Sequence, residues 1–65
     1  MLTTGDRVRQ RRKALNLKQY ELAAACGISS AALCQIERDQ RGMSMGVARK
    51  LAEQLKCKID DLYGW

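Results

Sequence analysis

The most reactive side chains in this sequence are those of its three cysteines, Cys26, Cys34 and Cys57. A zinc site needs closely spaced ligands, and the sequence has neither a CxxC motif nor a histidine. The lack of histidine also removes the commonest general base, and there is no Gly-rich phosphate-binding loop. We therefore expect three reduced thiols in a cytoplasmic protein that is not an enzyme and uses no metal or cofactor.

Basic side chains are the second group that could do chemistry. Twelve Lys and Arg residues against seven Asp and Glu residues give a net charge of +5. Residues 1–33 carry six basic and two acidic side chains, whereas residues 34–65 carry six and five. This excess of positive charge creates an electrostatic field that attracts polyanions, so we expect nucleic acid to be the partner. A basic helix can also lie on an anionic membrane, but residues 7–13 lack the large apolar face that this requires.

The elements that must position these side chains are predicted to be helices. Helix-forming residues dominate, β-branched residues are scarce, and no segment alternates polar and apolar residues for long. With 65 residues, of which 46% are hydrophobic, residues 1–65 are expected to form a single small all-α domain. We predict helices from Thr3 or Thr4 to about Asn16, over residues 19–25, from a Ser29 or Ser30 cap to about Arg38 and from a Ser44 cap, then a short turn with Ile59 and Leu62.

The apolar spacing of these helices predicts the core. In the first helix the inward stripe is Val8, Arg12 and Leu15, at i, i+4 and i+7. The inward residues of the later helices are predicted to be Leu22, Ala23 and Cys26, then Leu33 and Ile36, then either Val47 or Ala48 with Leu51, Ala52 and Leu55.

Residues 19–37 have the layout of a helix-turn-helix, in which two short helices flank a three-residue connection. Gly27 can adopt the positive φ that such a turn needs, and the small Ala23 lets the two helices cross closely. Ile28, Leu33 and Ile36 are placed to hold the second helix of the pair against the first. The outward face of that second helix then has no core to cover.

That outward face carries small or polar side chains, which suit a helix that enters a DNA major groove. Gln35 can bond the N6 and N7 groups of adenine, and Ala31 can touch a thymine methyl. Short polar residues on a helix face are also often only solvated, but the turn glycine, the alanines and the apolar triplet together favour a reading surface. The residues predicted to contact bases are Ser29, Ser30, Ala31, Cys34 and Gln35.

Two stretches carry a resemblance to a known family: GDRVRQRRKALNLKQYELAAACGISSAALCQIER and SMGVARKLAEQLKCKIDDLY. Their order and spacing resemble the lambda-repressor/Cro-like helix-turn-helix family of bacterial and phage regulators. The resemblance implies a compact five-helix fold in which helices two and three bind DNA and residues 29–35 form the reading surface. It also implies binding to palindromic or pseudo-palindromic operators as a homodimer.

The resemblance supplies a partner for Arg12, since relatives commonly pair an Arg here with the Glu that closes the recognition helix. That residue is Glu37 in this sequence, and an Arg on an apolar stripe independently needs an acid. Arg12 is also expected to reach a DNA phosphate, as is the backbone of Gln19 at a helix start. The full set expected to contact phosphate is Arg12, Lys18, Gln19, Arg38 and Arg41.

Three positions depart from the family pattern. Lys18 stands where a Ser or Thr cap is usual, Asp39 where Gly is frequent, and Met43 near a frequent Pro. Asp tolerates a left-handed conformation better than most residues, so the turn can persist. A negative charge close to DNA is nevertheless unfavourable.

We therefore expect a sequence-specific transcriptional regulator, such as a Cro-like repressor, that binds double-stranded DNA. The alternative is an antitoxin or other protein-interaction module on the same fold, and an RNA or membrane-surface binder is a remote third. Residues 59–65 include an apolar end, Tyr63-Gly64-Trp65, that could pack on a two-fold mate or fray. A domain of this size gains stability from dimerisation, which favours the dimer contact.

Overall fold

Five α-helices account for most of the chain, and the computed structural model describes residues 2–63. Within these residues there is no strand, as the all-α prediction requires. The helices are α1 (Thr4–Ala14), α2 (Gln19–Ala25), α3 (Ser30–Glu37), α4 (Met45–Gln54) and α5 (Ile59–Tyr63). No helix in residues 2–63 is long and apolar enough to span a bilayer.

Side-chain caps fix where most of the helices begin. Thr3 accepts a hydrogen bond from the Asp6 N–H at 3.1 Å, and the Asp6 carboxylate accepts one from the Thr3 N–H at 3.2 Å. Ser29 and Ser44 cap α3 and α4 in the predicted manner. At α2 the cap is only half formed: Glu21 accepts from the Lys18 N–H, and the Lys18 side chain has no acceptor to offer.

Left-handed residues end the first four helices. Asn16, Asp39 and Lys56 have φ values of 57°, 59° and 58°, and Gly27 has 71°. Asn16, Gly27 and Asp39 are where the sequence predicted this conformation. Asp39 therefore replaces the frequent Gly without loss of the turn, because Asn and Asp tolerate this region best among residues with a side chain.

The core follows the predicted stripes with one exception. Fully buried side chains include Val8, Leu22, Leu33, Leu51 and Leu62. Ala48 is buried and Val47 only partly so, which decides the alternative left open for α4.

The exception is Leu15, which is 36% exposed instead of buried. The chain leaves α1 at this residue, which is the C-cap, so the i+7 relation to Val8 no longer places it inward. Leu17 packs against the core instead.

Gly5 lets α1 approach the end of α3 closely. A Cβ atom on Gly5 would lie 2.5 Å from the carbonyl oxygen of Glu37 and 2.6 Å from that of Ile36, which is impossible without movement of the backbone. Besides this contact, α3 packs against α2, and α5 packs against α1 and α4. α3 is therefore held from two sides by α1 and α2.

Candidate nucleic-acid interface

The turn between α2 and α3 is closed by two backbone hydrogen bonds. The Gly27 N–H donates to the Ala24 carbonyl at 3.1 Å, and the Ile28 N–H donates to the Ala23 carbonyl at 3.0 Å. This pair of bonds, with a left-handed glycine between them, is a Schellman motif. Ile28 then packs partly buried against the core, and Ser29 begins the next helix. The turn thus sets the angle at which α3 leaves α2.

The two faces of α3 differ sharply in burial. Leu33, Ile36 and Glu37 are buried against the rest of the domain. Ala31 and Gln35 are exposed, as are Ser29 and Ser30 at the start of the helix. No neighbouring segment among residues 2–63 covers this outer face, so it is free to meet another molecule.

The predicted base-contacting residues are not equally available. The Ser29 Oγ accepts from the Ala32 N–H at 3.0 Å but keeps its own hydrogen to donate. Gln35 makes no side-chain hydrogen bond within the described part of the chain, so its amide is unoccupied. Cys34 is half-buried and lies at the edge of the face.

Glu37, at the C-terminal end of α3, is buried and is the centre of a partly buried polar network. Its Oε2 accepts from the Arg12 Nε at 2.7 Å and its Oε1 from the Arg12 Nη2 at 3.1 Å, which is a bidentate ion pair. The Gln19 amide donates to Oε1 at 3.3 Å, and the Arg12 Nη1 donates to the Leu17 carbonyl at 3.0 Å. One carboxylate thus joins α3 to α1 and to the start of α2.

This network limits how Arg12 and Gln19 could meet phosphate. The Arg12 side chain is only 12% exposed, and each of its nitrogens already donates once within the protein. Two N–H groups remain, since a guanidinium has five. The Gln19 side chain is directed to Glu37, which leaves the backbone at the start of α2 as the contact expected from this residue.

The other residues predicted to contact phosphate are exposed cations that form no ion pair with a described residue. Lys18, Arg38 and Arg41 are all exposed. The ion pairs formed between described residues are Arg9–Asp6 and Arg12–Glu37, so none of these three cations is neutralised by a neighbouring carboxylate. They lie before α2, at the C-cap of α3 and in the loop that follows α3.

Asp39 is exposed, but its carboxylate is hydrogen-bonded to the start of α1, which the sequence alone does not predict. One carboxylate oxygen accepts from the Thr3 hydroxyl and the other from the Gly5 N–H at 3.1 Å. These two donors lie at the N-terminus of α1, where the helix dipole favours negative charge. They partly offset the Asp39 charge and so reduce its expected repulsion of DNA. In the sequence, the segment Thr3-Thr4-Gly5-Asp6 predicts a cap for α1, but it does not indicate a contact with Asp39.

The Cys26 side chain is part of the hydrophobic core, and the Cys57 side chain packs against it. Burial raises the pKa of the Cys26 thiol and of the Cys57 thiol. No group of three or more potential metal ligands comes together in residues 2–63.

Comparison with known proteins agrees with this geometry. The profile of the helix-turn-helix family matches residues 8–62. The P22 c2 repressor, solved in complex with a synthetic operator, has a TM-score of 0.93 and 32% identity over 97% of this chain and 96% of its own. The restriction-modification controller protein C.AhdI from Aeromonas hydrophila has a TM-score of 0.87 and 33% identity over 92% and 91%.

A third similar structure is the biofilm regulator SinR in complex with DNA. It has a TM-score of 0.86 and 28% identity over 92% of this chain and 97% of its own. A search of curated protein sequences found no match.

Proposed function

This chain belongs to the helix-turn-helix family of lambda repressor/Cro-like regulators, and we propose that it is a transcriptional regulator that binds duplex DNA sequence-specifically. The observation that carries the proposal is the contrast between the two faces of α3. One face is locked into the domain by Leu33, Ile36 and Glu37, whereas the other is exposed and bears short side chains. A helix held rigidly with a free, narrow face is what entry into a groove about 12 Å wide requires.

Base readout is assigned to residues 29–35. Gln35 is the one side chain of this face that can bond a base bidentately, with adenine as its preferred partner. Ala31 is small enough to contact a thymine methyl, and Ser29 and Ser30 reach a base edge or a phosphate. Cys34 contributes at the edge. With a single bidentate contact, shape and backbone contacts supply much of the selectivity.

Contacts with the DNA backbone are assigned to basic side chains around α3. Lys18, Arg38 and Arg41 are exposed and free of carboxylate partners in the part of the chain described. Arg12 and the α2 start at Gln19 add contacts from the Glu37 network. Each phosphate neutralised releases counterions, so affinity falls steeply with salt.

We further propose that the protein acts in the cytoplasm of a bacterium or phage-infected cell as a homodimer on a palindromic or pseudo-palindromic operator. The P22 c2 repressor and SinR were solved with DNA, which supports a DNA partner. The dimer contact is assigned to residues 59–65. Tyr63 borders a groove of about 450 Å³ with Ile36 and Met43, while Gly64 and Trp65 lie outside the described residues.

A protein partner is the second candidate function. SinR, which has 28% identity to this chain, was also solved in a complex with the protein SinI. An antitoxin-like module would use the same fold to bind a protein instead of, or as well as, DNA.

A gel-shift series tests the DNA-binding proposal. The probes are the duplex that the protein selects from a random pool, a scrambled duplex, the single strand and an RNA of the same sequence, each titrated at several salt concentrations. A regulator shifts the selected duplex at far lower protein concentration than the other probes. Equal affinity for all four probes, or no shift at low salt, would reject the proposal.

A further inference from the structure

Asp39 occupies a junction between the DNA-reading helix and α1. It follows the C-cap of α3 directly, and its φ of 59° turns the chain there. Both oxygens of its carboxylate are used, one by the Thr3 hydroxyl and one by the Gly5 N–H. Bonds that span 36 and 34 residues of sequence are tertiary constraints, since no local turn needs them.

The partner side of this junction is itself well anchored. Thr3 and Asp6 exchange capping hydrogen bonds, so the Thr3 hydroxyl is fixed before it donates to Asp39. Gly5 lies against the Glu37 carbonyl with no room for a Cβ atom. The C-terminal end of α3 is therefore attached to α1 twice, through Glu37 on one side and Asp39 on the other.

We propose that Asp39 is a positioning residue for DNA reading: its carboxylate fixes the end of α3 on the N-terminus of α1 and thereby sets the preference for the operator over other duplexes. The inference rests on the proposed function. Arg38 lies between the two anchored residues and Arg41 follows them, so the anchors fix these cations relative to Gln35. Phosphate contacts hold a protein in register for base readout. Non-specific binding needs the charges but not the register.

A simpler role for Asp39 makes a different prediction. If its charge only repelled DNA, removing that charge would strengthen binding to every duplex by the same factor. If it positions α3, removing its acceptors lowers the operator preference, and an acceptor without charge preserves part of it. The ratio of affinities for operator and scrambled duplex distinguishes the two.

The test uses three variants of the full chain and two probes, the duplex selected by the wild-type protein and a scrambled duplex. Asp39→Gly keeps the left-handed turn and removes both acceptors. Asp39→Asn tolerates the same turn and keeps one acceptor oxygen. Glu53→Gln removes a charge from an exposed position on α4 and is the control for net charge. Circular dichroism melts establish that each variant is folded at the binding temperature.

We expect Asp39→Gly to lose roughly tenfold in the affinity ratio, comparable to the loss of one good base contact. Asp39→Asn loses less, and Glu53→Gln retains the wild-type ratio. Exchange of the Gly5 amide proton quickens in Asp39→Gly, a change that charge removal alone does not cause. Should Asp39→Gly unfold, Asp39→Asn gives the same comparison, because it keeps only one of the two acceptor oxygens and leaves the α1 cap intact.

An unchanged ratio in a folded Asp39→Gly protein, or an equal gain on both duplexes in both Asp39 variants, would overturn the inference and leave the proposed function intact. An equal loss of the ratio in Glu53→Gln would overturn it as well. A wild-type protein that binds both duplexes alike would overturn the proposed function together with the inference.

Discussion

The Arg12 guanidinium and the Glu37 carboxylate form a bidentate ion pair between α1 and the last residue of α3, with an Nε to Oε2 distance of 2.7 Å. The Glu37 side chain is only 4% exposed, so its charge depends on protein partners for solvation. The pair therefore links the stability of the domain to the placement of the helix that we assign to DNA reading.

Breaking this pair on either side is expected to destabilise the fold strongly. Arg12→Met leaves the Glu37 carboxylate buried with Gln19 as its remaining donor, and Glu37→Gln removes the charge opposite Arg12. Each change should cost about 3–5 kcal/mol, because it leaves a buried group without its counter-charge. Thermal melts followed by circular dichroism should show a fall in Tm of about 10 °C or more.

Two further variants make this result specific. Arg9→Met breaks the Arg9–Asp6 pair, in which Arg9 is 44% exposed, and should change Tm little. Combining Arg12→Met with Glu37→Met should cost less than the sum of the single changes, since no charge is then stranded. Wild-type melting of both Arg12→Met and Glu37→Gln would show that the pair contributes nothing.

A glycine comparison tests the close contact between α1 and α3. Gly5→Ala places a Cβ atom 2.5 Å from the Glu37 carbonyl oxygen, so α1 must move, at a cost of about 1–3 kcal/mol. Gly46→Ala on α4 meets only the Ser44 Oγ at 4.0 Å and should stabilise the domain by up to about 1 kcal/mol. Urea unfolding measures both; a neutral Gly5→Ala would mean that α1 does not lie this close to α3.

Alkylation of the thiols tests which face of α3 is accessible and contacts DNA. Cys26 is buried and its thiol pKa is raised by that burial, so little thiolate is available and N-ethylmaleimide should react slowest there. Alkylation of Cys34 adds bulk at the edge of the reading face and should abolish operator binding. Cys34→Ser is the control: after the same treatment, with Cys57 alkylated, it should still bind. Equal loss of binding in Cys34→Ser would place Cys34 away from the DNA.

Substitution of Arg41 tests the proposed contacts with the DNA backbone. Arg41→Ala should weaken operator and scrambled duplex by similar factors and reduce the slope of log K against log salt by about 0.9, the value for one phosphate contact. Arg49→Ala, which removes an exposed Arg on α4 outside the predicted contact set, is the charge control. Fluorescence anisotropy across a salt series measures both. A selective loss of operator binding in Arg41→Ala would instead indicate that Arg41 contacts a base or that its phosphate contact sets the register.

Local signals were sufficient to predict the five helices and most of their limits. The Thr3, Ser29 and Ser44 caps, the left-handed Asn16 and Gly27, and the buried stripes of α2 and α3 depend on residues within one or two turns of each other. Such short-range patterns specify helix limits and inward faces directly.

Contacts that depend on how helices dock could not be predicted in this way. The approach of Gly5 to α3 and the bonds from Thr3 and Gly5 to Asp39 join segments more than 30 residues apart. Leu15 was misplaced because the end of α1 fell one residue before it. Lys56 adopts a left-handed conformation that its residue type does not favour. Two backbone hydrogen bonds close this turn, from the Lys56 N–H to the Glu53 carbonyl and from the Cys57 N–H to the Ala52 carbonyl.

The central claim is that the exposed face of α3 reads base pairs, and Gln35 tests it most directly. DNA selected from a random pool by the wild-type protein and by Gln35→Ala should differ in preference at one base pair of each half-site, by about 1–3 kcal/mol, with unchanged thermal stability. Gln54→Ala, on the exposed end of α4, should select the wild-type sequence. If Gln35→Ala selects the same sequence as the wild-type protein, or weakens binding to every sequence equally, α3 does not read the DNA in the way described.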